Sequence, residues 1–193
     1  MKRNVALLLF DDVEVLDFAG PLEVFAVANA LHGGALFNVF TFAVSPGTIR
    51  TRAGLKVVPD FTVESCPPPH VLIVPGGDGT RALLGRASLL EWLRHKSRTA
   101  EIVMSVCTGA LVLGQAGLLD GLRATTHHGA FARLRQVAPT ADVIENERYV
   151  DNGRIVTAGG IAAGIDCALH VIERLAGRES AEATARHLEY PRR

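Results

Sequence analysis

The segment from Ala100 to Gly121, AEIVMSVCTGALVLGQAGLLDG, constrains the fold of this chain more than any other. A continuous apolar run, Ile102 to Val106, meets Cys107, and a helical apolar pattern begins at the next residue with no loop residues between them. So sharp a turn brings the backbone before and after its central residue almost into contact. The residues two before and two after must then be small, and Ser105 and Gly109 occupy those places. The spacing predicts Cys107 at the carboxyl end of a buried strand, where open α/β sheets bind their ligands. A helix starting at Thr108 would direct its N–H groups and positive dipole end at the sulfur, which lowers a thiol pKa and stabilises an anion. The plainer alternative for Cys107 is an inert core thiol.

The rest of the chain repeats the strand-then-helix rhythm. Val5 to Phe10, Phe37 to Val44, Val71 to Val74 and Ile155 to Thr157 read as further strands, and their unbroken apolarity marks strands covered on both faces. Between them Leu22, Phe25, Ala26 and Ala30 recur at helical spacing, as do Leu89, Trp92 and Leu93, then Leu111 and Val112, then Ile161 to Leu175; a last helix is expected from Glu179 to Leu188. The alternation predicts an α/β fold with a doubly wound, mostly parallel sheet sandwiched by helices, in one domain over residues 1–193. Two stretches break the rhythm. Thr48 to Val58, with Gly54 between β-type residues, is expected to form a small antiparallel hairpin at one sheet edge, and Asp151-Asn152-Gly153 to turn a second one between Glu145 and Ile155.

Charge and cysteine usage narrow the classes of function. Lys plus Arg equals Asp plus Glu at 20 each, and no stretch interleaves aromatics with a dense basic patch, so nucleic acid is not an expected partner. The closing Pro191-Arg192-Arg193 reads as a solvated end. Three scattered cysteines, Cys66, Cys107 and Cys167, give neither a disulfide framework nor a metal-binding pair, and a reducing, cytoplasmic compartment is the simplest home. Cys167 sits mid-helix among apolar neighbours, and Cys66 precedes three prolines with nothing near it to activate it. The apolar run after Lys2-Arg3 ends at Asp11, too short for a signal segment or a membrane span.

A nucleophilic thiol needs a proton carrier and a place for developing negative charge. In FDDVEVLDFAGP, the loop leaving the first strand, Asp17 is the acid flanked by apolar Leu16 and Phe18, surroundings that raise a carboxyl pKa into the range for donating protons; Pro21 fits near the first turn of the helix that follows, and Asp17 could equally be that helix's N-cap. In VLIVPGGDGT, Gly76 and Gly77 can turn unhindered N–H groups toward a ligand and build an oxyanion hole together with the N–H of Thr108. In ATTHHGA, His127 and His128 lie next to each other after a strand-like stretch. Adjacent strand residues face opposite ways and no further ligand pattern completes a site, so no metal and no cofactor is expected.

The blocks LLFDDVEVLDFAGPLEVF, VLIVPGGDGTRALL, SVCTGALVLGQAGLLDGLRATTHH and GGIAAGIDCALHVIERL resemble the ThiJ/PfpI superfamily from the first strand to about Glu189. The pairing of LDFAGP with SVCTG and TTHH is similar to its isonitrile hydratase subgroup and to the amidase-like domain of AraC-type regulators. The resemblance implies a flavodoxin-like, class I glutamine amidotransferase-like fold with a nucleophile elbow, a homodimer and a small-molecule substrate. It further implies Cys107 as nucleophile, Asp17 as general acid/base, Thr108 as a neighbour ordering acid and water, and Gly76, Gly77 and Ile161 as pocket wall. The reaction implied is hydration of R–N≡C to an N-substituted formamide.

Departures from the family pattern matter equally. Thr108 stands where protease and glyoxalase members carry a histidine after the nucleophile, and His128 stands where the subgroup has a bulky aromatic, which implies a more polar pocket. No helix-turn-helix region follows, so a DNA-binding role is not expected of this polypeptide. Three readings share the thiol: an isonitrile-hydrating lyase, a redox or stress sensor using an oxidisable Cys107, and an amidase or hydrolase with His127 or His128 as base.

Overall fold

The continuous apolar runs become strands shielded on both faces: Val5–Leu9, Val71–Val74 and Val103–Val106 are solvent-free. The computed structural model describes residues 2–191. In chain order its elements are β1 (Arg3–Leu9), α1 (Val15–Leu31), β2 (Phe37–Ala43), β3 (Ile49–Arg50), β4 (Lys56–Val57), β5 (Phe61–Thr62), β6 (Val71–Val74), α2 (Thr80–Leu83), α3 (Ala87–Ser97), β7 (Ile102–Val106), α4 (Gly109–Gln115), β8 (Arg123–Ala124), α5 (Phe131–Val137), β9 (Asp142–Val143), β10 (Tyr149–Asp151), β11 (Ile155–Ala158), α6 (Ala163–Ala176) and α7 (Arg178–His187). The main sheet runs β10-β11-β7-β6-β1-β2-β5, parallel throughout except at the β10 edge, where Asp151 to Gly153 turns the chain back as the sequence predicts. Helices α1, α6 and α7 pack together as one layer and α2 to α5 as the other, which gives the flavodoxin-like sandwich.

The strand order reverses at β1. The chain steps from β1 to β2 on one side and then from β6 through β7 to β11 on the other, so the loops leaving β1 and β6 diverge and open a crevice at the carboxyl ends. No helix among the described residues is long and apolar enough to cross a membrane. Arg192 and Arg193 of the expected solvated end lie outside the described residues.

Two local expectations are corrected. The hairpin of β3 and β4 does form, but as a separate ladder and not along an edge of the main sheet. It is laced to the turn after β1, with Asp12 N–H donating to Arg50 O at 2.8 Å and Arg52 N–H to Val13 O at 3.0 Å, and so stands beside the crevice. Helix α1 starts at Val15, which puts Pro21 in its interior, not its first turn, and leaves the Asp17 carbonyl without its helical donor. Tertiary packing offsets that loss. A Cβ at Gly20 would lie 3.1 Å from Ile165 Cγ1, and one at Gly164 would lie 2.9 Å from Val106 Cγ1 and 3.6 Å from Pro21 Cγ, so α1 and α6 meet through small residues.

The tightest approach is at the sharp turn itself, where a Cβ on Gly109 would fall 2.0 Å from the Val74 carbonyl oxygen. Gly109→Ala is expected to destabilise the protein by about 3 kcal/mol or more, because the obstacle is backbone and cannot move aside. The shift in urea midpoint checks this; an unchanged midpoint would show that the turn can open.

Candidate active site

Cys107 follows β7 with φ of 56°, the left-handed conformation that L-residues seldom adopt. Its N–H reaches the carbonyls of Ala158 and Gly159 at 3.1 and 2.9 Å, and its own carbonyl accepts the Thr126 hydroxyl at 2.7 Å. Residue 107 is therefore held from both sides of its peptide while its side chain, in a residue only 6% exposed, reaches the crevice floor. Ile161, after β11, is also left-handed at φ 48°, and the N–H groups of Ile161 and Thr108 both point at the sulfur.

Asp17 comes from the first turn of α1. It is not the N-cap, a position held by Glu14, and it is fully buried. Its Oδ2 accepts the Gly76 N–H at 3.0 Å, while its Oδ1 completes no regular hydrogen bond; the carboxyl and the Cys107 thiol are nonetheless close enough to perturb each other's ionisation. Burial pushes the carboxyl from its ordinary value up to about 7, against the opposing effects of the Gly76 N–H and the thiol. Burial, and then the charge of Asp17, push the thiol up to about 12, against the N–H groups of Thr108 and Ile161. The sequence expectation of a thiol acidified by the helix is thereby reversed: the first proton to leave this pair comes from Asp17. Helix α4 spans only seven residues, and its dipole does not outweigh desolvation and an adjacent carboxylate.

Gly76 and Gly77 differ from expectation as well. Neither N–H faces a ligand, since Gly76 holds Asp17 and Gly77 donates to Thr108 Oγ1 at 2.9 Å. Glycine is needed there for close approach: a Cβ on Gly76 would lie 2.6 Å from Thr108 N and 2.8 Å from Asp17 Oδ2, and one on Gly77 only 2.3 Å from Asp12 O. The N–H groups available to an anion are those of Thr108 and Ile161. The Thr108 hydroxyl instead ties the loop that carries Gly76, and hence Asp17, to the cysteine turn.

The two histidines do not face opposite ways, because His128 opens a 3₁₀ turn over His128–Ala130 and is not in a strand; their rings lie 4.1 Å apart. His127 lines the crevice, its Nδ1 accepts the Gly129 N–H at 3.1 Å, and burial followed by the His128 charge lowers its pKa, leaving it neutral. His128 is exposed and borders a separate hollow with Phe131 and Arg148, so it does not make the Cys107 crevice more polar. Among the described residues no group of three or more His, Cys, Asp or Glu is arranged to hold a metal.

The crevice, about 770 Å³, also contains charged residues that sequence reasoning did not single out: Glu14, Arg52, Asp78, Arg81 and Arg133. Arg52 bridges Glu14 at 2.9 Å and Asp78 at 3.1 Å, and Arg81 takes the other Asp78 oxygen at 3.1 Å. Arg52 was hidden by the assignment of its hairpin to a sheet edge. Asp78 was legible only as the residue after Gly77.

The buried acid makes a pH prediction. With a folded pKa raised from the ordinary 3.8 to about 7, Asp17 contributes stability that is fully present below about pH 4 and is lost as pH rises through 7. Asp17→Asn cannot ionise, so its stability relative to wild type is expected to grow by about 2 kcal/mol between pH 5 and pH 8. Urea unfolding at the two pH values checks this, and a constant difference would overturn it. The same variant should titrate the thiol lower, read from the pH dependence of Cys107 alkylation, because a carboxylate that opposes thiolate formation is gone.

Comparison with known proteins agrees with the fold. Isonitrile hydratase of Pseudomonas putida is 38% identical over 191 residues, 98% of this chain and 79% of that protein. The HTH-type transcriptional regulator GbdR of Pseudomonas aeruginosa is 28% identical over 98% of this chain but only 51% of its own length, so the chain spans about half of that regulator. The crystal structure of a ThiJ/PfpI family protein from Pseudomonas syringae superposes with a TM-score of 0.88 at 30% identity, covering 100% of this chain and 77% of that one. Residues 3–174 match the DJ-1/PfpI family, and the chain belongs to it.

Proposed function

We propose that this protein is a cysteine-dependent lyase that hydrates a small isonitrile to an N-substituted formamide. The observation that carries the reading is the pairing of the Cys107 thiol, which lines an open crevice, with the Asp17 carboxyl buried beside it, with no histidine among the described groups acting on the sulfur. The likeness to the hydratase of Pseudomonas putida supports the substrate class.

The chemistry asks for a base and then an acid at the same spot, and a carboxyl that titrates near neutrality can be both. Asp17 carboxylate takes the thiol proton as the sulfur bonds to the terminal isonitrile carbon, and returns it to that carbon, leaving R–N=CH–S–Cys107. Water then adds to the carbon. Asp17 removes a proton from the water as the C–O bond forms and delivers it to nitrogen, giving R–NH–CH(OH)–S–Cys107. Breaking the C–S bond releases R–NH–CHO, and the hydroxyl proton passes through Asp17 to the departing sulfur, whose charge is met by the Thr108 and Ile161 N–H groups. Thr108 acts in addition through its hydroxyl, which fixes the Gly76–Gly77 loop and so the acid. The hydrolase reading with His127 as base is disfavoured, because Nδ1 is already an acceptor for Gly129.

The test is formamide formation from cyclohexyl isonitrile. Cys107→Ser is expected to lower the rate by roughly a thousandfold or more, and Asp17→Asn by about 10²-fold or more with loss of a pH inflection near 7. Absence of turnover by wild type, with selective peroxide oxidation at Cys107, would favour the sensor reading instead. From the resemblance we also propose a cytoplasmic homodimer, which light scattering would register as twice the chain mass.

A further inference from the structure

The crevice is far larger than an isonitrile group requires, and its walls change character from floor to mouth. Leu84, Leu111 and Ala130 supply apolar surface, the last two buried, and the same lining includes three guanidinium groups and two carboxylates, of which Arg52, Asp78 and Arg81 are largely exposed. The pairing among these is unequal. Glu14 and Asp78 are both engaged by Arg52, and the second oxygen of Asp78 is taken by Arg81. Arg133, on α5, donates only to the neutral amide oxygen of Gln136, at 2.8 Å, and pairs with no carboxylate among the described residues. His127, the remaining basic side chain of the crevice, is neutral at physiological pH. The mouth therefore holds one positive charge more than its acids match, on the side chain whose planar fork suits a carboxylate.

We propose that the crevice takes substrates bearing a single carboxylate on the tail that leads from the reacting group, and that Arg133 selects them. For the reacting group this rests on the isonitrile reading above; for the tail it rests on the charges at the mouth. A monoanion fits better than a phosphate dianion, because one unpaired guanidinium matches one charge and the nearby Glu14 and Asp78 repel a second. Arg133 is solvent-exposed, so the preference is moderate, on the order of three- to tenfold, and weakens with added salt.

The experiment compares kcat/KM for 4-isocyanobutanoate and its methyl ester, which differ in charge. Wild type is expected to prefer the acid by about three- to tenfold, Arg133→Gln to bring the ratio near one, and Arg133→Lys to retain part of the preference. A wild-type ratio of one or less, or a ratio unchanged in Arg133→Gln, would overturn the proposal. A second measurement separates this from failure of the hydratase reading: the rate of Cys107 alkylation by 3-maleimidopropionate over that by N-propylmaleimide, normalised to the same ratio for 2-mercaptoethanol. If neither isonitrile is turned over, the lyase reading falls, while a normalised maleimide ratio above one that drops in Arg133→Gln still supports anion selection. A ratio of one that does not respond to the variant refutes it.

Discussion

A left-handed cysteine backbone costs roughly 1–2 kcal/mol relative to an ordinary conformation, so Cys107 stays at φ 56° only because its surroundings leave no relaxed alternative. The carbonyls of Ala158 and Gly159 hold its N–H, Thr126 holds its carbonyl, and the backbone after it is pressed against Val74 and Pro75, so that only glycine fits at 109. Asp12 and Ile161, at the ends of β1 and β11, are left-handed too. Two of the four left-handed non-glycine residues among those described, Cys107 and Ile161, thus line one crevice, and a third, Asp12, lies in the turn packed against Gly77. The rigid sheet beneath them is what sustains this concentration of strain, and the strain turns side chains and N–H groups toward a common point.

The electrostatics follow from that placement. Bringing a carboxyl and a thiol together in a nearly dry floor penalises every charged state of the pair, and the cheaper ionisation is that of Asp17, the stronger acid by nature and the one that receives a backbone N–H. The resting site is accordingly a thiol beside a carboxyl poised near neutrality, with no standing thiolate. Such an arrangement forms its nucleophile as the electrophile arrives. It suits an isonitrile, whose carbon must accept both a nucleophile and a proton, better than a reaction that begins with a free thiolate.

What the sequence revealed depended on how local the cause was. The apolar runs located the five long strands within a residue or two, because strands buried on both faces leave no polar residue to blur their limits. The turn at Cys107 was legible from Ser105 and Gly109, since steric crowding at a sharp turn acts over two residues. Asp17 stood out by its apolar neighbours, and its pKa is raised as expected, but the cause is burial in the folded chain, since Leu16 itself is exposed. Pro21 and His128 were misplaced by local helix geometry, and the other errors were tertiary. The glycines at 76 and 77 looked free to meet a ligand, yet Asp17 and Thr108 arrive from elements 59 and 31 residues away to occupy their N–H groups. The thiol pKa was misjudged because a helix dipole is visible in sequence while burial is not. Arg52 and Arg133 belong to the crevice only because a hairpin leans on the β1 turn and α5 packs on α4, neither of which leaves a mark on local pattern.

Floor and mouth therefore answer to different constraints. The floor is fixed by strand ends, strained backbone and contacts closer than a Cβ could tolerate, so a change there threatens the fold. The mouth is built from side chains such as Arg52 and Arg81, which are 58% and 79% exposed, and exposed ion pairs contribute little to stability. Substitutions at the mouth can redirect what enters while leaving the sheet and the cysteine turn intact. The fold is shared with a protein named as a hydratase and with half of a transcriptional regulator, so the architecture alone does not decide what reaches the floor; in this chain that falls to residues the architecture scarcely restrains.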